Sequence, residues 1–235
     1  MRQTKSSKVS DKEISDLEHE IVTRLAALTS ENTVTIRDLR RQFSKQLANA
    51  APELIVALAL KLKRRSDNFP RFFAYELVQH HPQAFGSLKA RQLEDLGQGI
   101  DNWGAVDTFA CYLAGPSWRE RQASNALIQR WARSEDRWWR RAALVSTVAL
   151  NNKARGGSGD TARTLMICEM LLDDRDDMVV KALSWALREL SKRDRASVRK
   201  FLDEHNDVLA PRVIREVSNK LKTGLKNPRL PAGLK

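Results

Sequence analysis

Two stretches in the second half of the chain decide the fold: DRWWRRAAL at residues 136–144 and DDMVVKALS at residues 176–184. They align at an offset of 40 residues, which matches Arg141 with Lys181 and Ala142 with Ala182. Each has an acidic residue, which favours a helix N-terminus, followed by small residues that let neighbouring helices approach closely. A pattern that recurs at this period predicts an all-α solenoid of stacked helix pairs with a concave face.

A second pair of similar stretches lies earlier in the chain. DNWGAVDTFACYL at residues 101–113 resembles DNFPRFFAYEL at residues 67–77, and Trp103 takes the place of Phe69. When 101–111 is aligned on 135–145, Asp107 falls at the position that Arg141 holds, and Lys181 holds it one repeat later. The repeat therefore presents side chains of different charge at one equivalent position.

Helical periodicity continues through almost the whole chain. The apolar spacing predicts helices over 12–28, 36–49, 69–80, 88–98, 104–114, 118–133, 136–152, 160–173, 176–192, 195–205 and 211–223, and another that opens at Pro52. Thr35 is the predicted cap of the second helix, and His81-Pro82 and Gly115-Pro116 are predicted breaks. We expect a single repeat domain over 12–223, between tails at 1–11 and 224–235.

Composition excludes several classes of protein. Gly 10 and Pro 7 among 235 residues are few for an architecture of strands and turns. The chain has no apolar run near the ~20 residues that cross a bilayer, and its first residues lack the apolar core of a secretory signal. Cys111 and Cys168 are expected to be reduced thiols, and four scattered histidines predict no metal site. We expect no cofactor, and a cytoplasmic location at the bacterial nucleoid.

Positive charge is concentrated in the second half of the chain. Residues 1–111 carry 16 basic and 14 acidic side chains, net +2, whereas residues 112–235 carry 25 and 15, net +10. Such asymmetry favours a surface that binds a polyanion, most simply nucleic acid. The alternative is a solvated helical surface that is rich in arginine for other reasons.

One segment, NNKARGGSGD at residues 151–160, interrupts two strongly helical stretches with glycine and basic residues. It is not a phosphate-binding P-loop, because no GK[ST] follows it and no strand precedes it. Two interpretations stay open: a flexible basic loop near the ligand, or a surface insertion.

Aromatic and charged residues accompany one another on three predicted helices. Trp103 and Asp107 are one turn apart, as are Trp138 and Arg141. Lys181, Trp185 and Arg188 share a face beside the apolar stripe of their helix. Stacked repeats would bring these residues into one basic, aromatic groove with a single carboxylate. For any one tryptophan the alternative is core packing, and for Asp107 it is an ion pair with a nearby arginine or a helix-terminal charge.

A lone carboxylate in such a groove suits one reaction better than others. Nucleophilic triads need a histidine, and two-metal phosphodiester cleavage needs several carboxylates. Hydrolysis of an N-glycosidic bond instead passes through a cationic sugar that one carboxylate can stabilise. An alkylated, cationic purine leaves as a neutral group without a general acid, and tryptophan faces attract such a cation.

The runs RWWRRAALV (137–145), KALSWALREL (181–190) and LAPRVIREV (209–217) resemble the AlkD-type DNA alkylation repair enzymes, which are built of HEAT-like repeats. The resemblance extends from about Val34 to about Leu221. It implies a monofunctional DNA glycosylase that removes cationic N3- and N7-alkylated purines from duplex DNA. We expect the protein to be a monomer and to bind neither a membrane nor a metal.

The resemblance also implies roles for individual residues. Asp107 would stabilise the sugar cation and position water, Trp103 and Trp185 would contact the lesion, and Arg141 would contact the DNA backbone. For Lys181, Arg188 and Trp138 we expect DNA binding. The sequence departs from the family at Asn102 and Gly104, where an aromatic and an acidic residue are common. Two alternatives from other classes remain: a catalytically silent module for distorted or branched DNA, and an adaptor for a protein partner.

Overall fold

The computed structural model describes residues 10–30, 32–65 and 68–228, and these residues form helices without any strand. The contacts between residues divide the chain into two compact units, with the boundary between Gln98 and Gly99. The all-α prediction is confirmed. The concave basic groove and the single repeat domain over 12–223 stay predictions. Residues 1–9 and 229–235 of the predicted tails lie outside the described residues.

The first unit is built from six helices within the described residues. They are α1 (Asp11–Ala26), α2 (Thr33–Gln46), α3 (Pro52–Leu62), α4 (Asn68–Gln79), α5 (Pro82–Ser87) and α6 (Ala90–Gly97). Helices α3 and α4 pack against each other, and α2 packs on α4. Phe43 and Phe73 meet edge to face in the core, with ring centroids 5.7 Å apart.

The second unit is arranged around one buried helix. Its helices are α7 (Trp103–Phe109), α8 (Gly115–Arg119), α9 (Asn125–Ala132), α10 (Arg137–Asn151), α11 (Thr161–Glu169), α12 (Asp177–Leu190), α13 (Arg195–Glu204) and α14 (Pro211–Thr223). Every residue of α10 from Arg141 to Asn151 is buried. Helices α7, α8, α9, α11 and α12 all pack against α10, so this helix fixes the positions of its neighbours.

Side-chain caps explain where many helices begin. Asp136 and Asp176 accept hydrogen bonds from the backbone of Trp138 and Met178, both at 2.8 Å. These are the acidic residues of the aligned repeats, and the helices start as that alignment predicts. The predicted Thr35 cap is wrong. Asn32 caps α2, because its side-chain oxygen accepts from the backbone of Val34 and Thr35.

The predicted break at Gly115-Pro116 is also wrong. Helix α7 passes through a π-helical turn, Ala110–Ala114, directly into α8, and Pro116 lies in the first turn of α8. A proline in a first turn needs no N–H partner, and the wider π turn provides the change of hydrogen-bonding pattern. The helix therefore runs without interruption from Trp103 to Arg119.

Two other differences concern short elements. The helix predicted over 118–133 is split after Arg119 by a loop in which Arg121 has a left-handed φ of 63°. The short helix α5 is absent from the prediction, although Pro82 opens it and the His81 side chain caps it. Among the described residues, no helix is long and apolar enough to cross a membrane.

Helix α8 packs so closely on α10 that a side chain at Gly115 should destabilise the protein. A Cβ at this position would lie 2.6 Å from both the Ala149 Cβ and the Ser146 carbonyl oxygen. We expect Gly115→Ala to lower the free energy of unfolding by about 1–3 kcal/mol, because α8 must move away from α10. Chemical denaturation followed by circular dichroism measures the change.

The matched control is Gly104→Ala, in the first turn of α7. A Cβ there would lie 3.4 Å from its nearest neighbour, the Asn102 side chain, which is an ordinary contact. This control is expected to be neutral or to stabilise by up to about 1 kcal/mol. Equal destabilisation by both variants would show that the close contact at Gly115 does not matter.

Candidate functional site

Asp107 and Arg141 form a two-bonded ion pair between α7 and α10. The Arg141 Nε donates to Oδ1 of Asp107 and the Nη2 donates to Oδ2, both at 2.8 Å. The Arg141 side chain is 7% exposed and that of Asp107 is 18% exposed. Paired N–H bonds of this kind fix both the distance and the plane of a carboxylate. Asp107 is thus held in one orientation with part of its surface open to solvent.

Arg141 also reaches the third helix of the site. Its remaining terminal nitrogen, Nη1, donates to the Met178 carbonyl oxygen in the first turn of α12, at 2.5 Å. Each of the three guanidinium nitrogens therefore has a protein acceptor. Arg141 connects α7, α10 and α12, and three of its five N–H groups are bonded within the protein.

Burial raises the pKa of the Asp107 carboxyl, and the hydrogen bonds and positive charge of Arg141 oppose that shift. The charge of Arg155 opposes it further. Both carboxyl oxygens accept N–H bonds from a guanidinium, which is the arrangement expected of the ionised form. The opposing effects keep a charged group in a position that burial alone would disfavour.

The three predicted tryptophans differ in exposure. Trp103, the first residue of α7, is 63% exposed and lies one turn before Asp107. Trp138 and Trp185 are half-buried on α10 and α12. The Arg137 guanidinium lies over the Trp138 ring at 4.9 Å from its centroid. Core packing is therefore excluded for Trp103 alone among the three.

The other predicted DNA-binding cations have partners within the second unit. Lys181 is half-exposed and pairs with Asp177 at 2.6 Å, one turn earlier on α12. Arg188 is 17% exposed, donates to the Ser184 hydroxyl at 3.2 Å and lies 3.9 Å from a carboxylate oxygen of Glu216. Burial lowers the pKa of Arg188. Lys181 is the more accessible of these two cations.

An aromatic cluster holds α7 against α9 and α10 close in sequence to the ion pair. The rings of Trp131 and Trp139 lie 4.9 Å apart, and Phe109 lies within 6.0 Å of both. Phe109 is two residues after Asp107, and Trp139 is two residues before Arg141. The cluster and the ion pair therefore fix the same helices by independent contacts.

Both cysteines are free and buried, in agreement with the expected reduced thiols. Burial raises the pKa of Cys111, four residues after Asp107, to about 12. A thiol with such a pKa is a poor nucleophile at neutral pH. The described residues contain no group of three or more His, Cys, Asp or Glu side chains that could hold a metal ion.

The glycine-rich loop after α10 brings a cation beside the site that the sequence analysis did not single out. A short 3-10 helix, Lys153–Arg155, begins the loop, and the Arg155 guanidinium lies 4.8 Å from the centroid of the Tyr112 ring. Tyr112 belongs to the π-helical turn that follows α7. The basic composition of the loop was visible in the sequence, but the position of Arg155 depends on packing.

Residues 30–221 match the family of DNA alkylation repair enzymes. The chain belongs to this family. Its fold is similar to that in the crystal structure of smu.31 from Streptococcus mutans UA159, with a TM-score of 0.57 and 17% sequence identity. That similarity covers 91% of this chain and 98% of the other. No curated protein matches the chain.

In this member of the DNA alkylation repair family, removal of Arg141 alone should lower the free energy of unfolding more than removal of both partners of the ion pair. Arg141→Met should cost about 3–5 kcal/mol at pH 7, because it leaves the Asp107 carboxylate buried without its partner. The double variant Asp107→Leu/Arg141→Met should recover part of this loss. The control, Lys181→Met, breaks an exposed pair and should cost at most about 1 kcal/mol.

The cost of Arg141→Met should depend on pH. Without Arg141, burial raises the folded-state pKa of Asp107 further above its ordinary value, so stability declines as pH rises through that pKa. Well below about pH 4 the carboxyl is protonated in both the folded and the unfolded state, and the difference from wild type should shrink. Denaturation at several pH values tests this. A cost that equals that of Lys181→Met, or that grows at low pH, would show that the Asp107–Arg141 pair does not have this role.

Proposed function

We propose that this protein is an AlkD-type DNA glycosylase of HEAT-like repeats that hydrolyses the N-glycosidic bond of cationic N3- and N7-alkylated purines in duplex DNA. One observation carries the proposal: the Asp107 carboxylate is fixed by Arg141, partly open to solvent, and one turn from the exposed ring of Trp103. Family membership supports a role in the repair of alkylation damage.

In the proposed reaction the glycosidic bond breaks and its electron pair leaves with the purine, which becomes neutral. Water adds to the sugar carbon and loses one proton to the bulk solvent. The negative charge of Asp107 stabilises the sugar cation in between, and the carboxylate accepts a hydrogen bond from the attacking water. Since the leaving group carries a positive charge beforehand, no general acid is needed.

The neighbouring guanidinium does not cancel this stabilisation. Arg141 binds both oxygens of the carboxylate from one side, so a sugar cation would approach the lone pairs that the guanidinium leaves open. A cation in contact with a carboxylate oxygen would lie nearer to the carboxylate than to the guanidinium, so attraction would exceed repulsion. The pair also removes the need to reorient the carboxylate during the reaction.

The other residues have supporting roles in this proposal. Trp103 and Trp185 contact the lesion, since the accessible part of an indole face attracts a cationic purine. Lys181, Arg188 and Trp138 contribute to DNA binding. Arg141 contacts the DNA backbone near the lesion with the N–H groups that its bonds to Asp107 and Met178 leave over, and it also holds Asp107 in place. The proposed enzyme works as a monomer in the cytoplasm, without a cofactor.

The central test is Asp107→Asn, which keeps the size of the side chain and removes its charge. Release of 7-methylguanine from a duplex should slow by about 100-fold or more, the effect of losing one preorganised stabilising group. Affinity for the duplex should persist or increase. Single-turnover base release and fluorescence anisotropy measure the two quantities.

The matched control is Asp177→Asn, which removes an exposed carboxylate from the start of α12. We expect its rate of base release to stay within about threefold of wild type, in keeping with a solvent-screened charge. If wild type releases no base, or if Asp107→Asn is as fast as wild type, the catalytic proposal fails and a silent DNA-binding module remains.

Because Trp103 is exposed, we expect its ring to contact DNA and to contribute little to core packing. Trp103→Ala should reduce base release by at least about tenfold, if the cation–π contact contributes about 1.4 kcal/mol or more. Its thermal stability should stay close to that of wild type. The comparison is Trp118→Ala, whose 1% exposed ring should cost about 3–5 kcal/mol on removal.

Thermal unfolding and base release should be measured on both variants. Wild-type activity in Trp103→Ala would remove this residue from the proposed lesion contacts. A loss of stability similar to that of Trp118→Ala would instead assign Trp103 to the core.

A further inference from the structure

We propose that Arg155, on the glycine-rich loop, binds a phosphate of the DNA backbone next to Asp107. The inference rests on the proposed function for the identity of the site, but it concerns DNA binding and not the chemical step. The loop at 151–160 thereby has a role in binding DNA and is more than a surface insertion.

The position of Arg155 beside the site is fixed by its contact with Tyr112. The guanidinium lies 4.8 Å from the ring centroid, and Tyr112 is five residues after Asp107 in the same uninterrupted helical run. The charge of Arg155 also opposes the rise in pKa that burial causes at Asp107 and at Cys111, so the guanidinium lies near both groups. A guanidinium over an aromatic face keeps its edge N–H groups available.

The donors of Arg155 are available, whereas most of those of Arg141 are engaged. Within the described residues the Arg155 guanidinium donates no hydrogen bond, and the residue is partly exposed. Arg141 is the residue that the sequence resemblance assigns to the DNA backbone, yet all three of its nitrogens are engaged inside the protein. Arg155 is therefore better placed to supply N–H groups to a phosphate.

The loop that carries Arg155 is held by hydrogen bonds to its backbone. Arg119 donates to the Arg155 carbonyl oxygen at 2.7 Å, and Arg193 donates to that of Gly157 at 3.0 Å. The Gly159 backbone N–H donates to the Leu150 carbonyl oxygen at 3.0 Å. These bonds support a defined loop rather than a flexible one, and a defined loop loses less entropy when its arginine binds a ligand.

Glycine is required at one point of this loop by close approach. A Cβ on Gly157 would lie 2.6 Å from the carbonyl oxygens of Ala149 and Leu150. The loop therefore turns back directly against the end of α10. This return is what brings the preceding residue pair, Arg155 and Gly156, towards the π-helical turn that carries Tyr112.

The test is the salt dependence of binding to an undamaged synthetic duplex. Each phosphate contact contributes about 0.9 to the slope of log affinity against log salt concentration. Arg155→Gln should make the slope shallower by about that amount, and Arg155→Lys should retain it. The matched control, Lys153→Gln, removes an exposed charge two residues earlier and should change the slope by less than half as much.

Circular dichroism should show the same fold and melting behaviour for all three variants. An unchanged slope in Arg155→Gln, an equal change in Lys153→Gln, or no duplex binding by wild type would each overturn the inference. Base release by wild type is measured separately on a duplex with 7-methylguanine. Release together with an unchanged Arg155→Gln slope refutes only the phosphate contact, whereas the expected slopes without release refute only the glycosylase.

Discussion

The bidentate pair between Asp107 and Arg141 is the interaction on which the second unit depends. It joins α7 to α10, and the third nitrogen of Arg141 extends the connection to the first turn of α12. A buried ion pair gains little net stability over apolar packing, because desolvation offsets most of the attraction. Its value lies in geometry, since it holds a negative charge in one place and one orientation.

That geometry requires the helices themselves to be fixed. Helix α10 is buried from Arg141 onward, and α8 approaches it so closely that only glycine fits at position 115. The Phe109, Trp131 and Trp139 rings fix α7 against α9 and α10. Apolar packing thus sets where the helices lie, and the ion pair then sets the position of one carboxylate within that frame.

The sequence predicted the helices with a strong apolar period and acidic caps, such as α10 and α12, almost to their ends. Its alignment of repeats also placed Asp107 and Arg141 at equivalent positions, and equivalent positions of adjacent repeats lie side by side in stacked helices. The ion pair was one of the open interpretations. The contact between Arg155 and Tyr112 was not predictable, because it arises from packing between residues distant in sequence. The π-helical turn was not predictable either, because the apolar spacing does not distinguish it from an α-helical turn.

Several arginines in this protein bind backbone carbonyls and also contribute to its positive charge. Arg193 donates to the Asn151 carbonyl oxygen at the end of α10, and Arg195 donates to that of Leu221 in the last turn of α14. Carbonyls near a helix C-terminus lack partners in the helix, and a guanidinium satisfies them without losing its charge. Arginines that bind carbonyls instead of carboxylates leave their charge uncompensated. The excess of +10 over residues 112–235 can thus coexist with a well-bonded interior, and a positive field towards DNA does not require every cation to stand free in solvent.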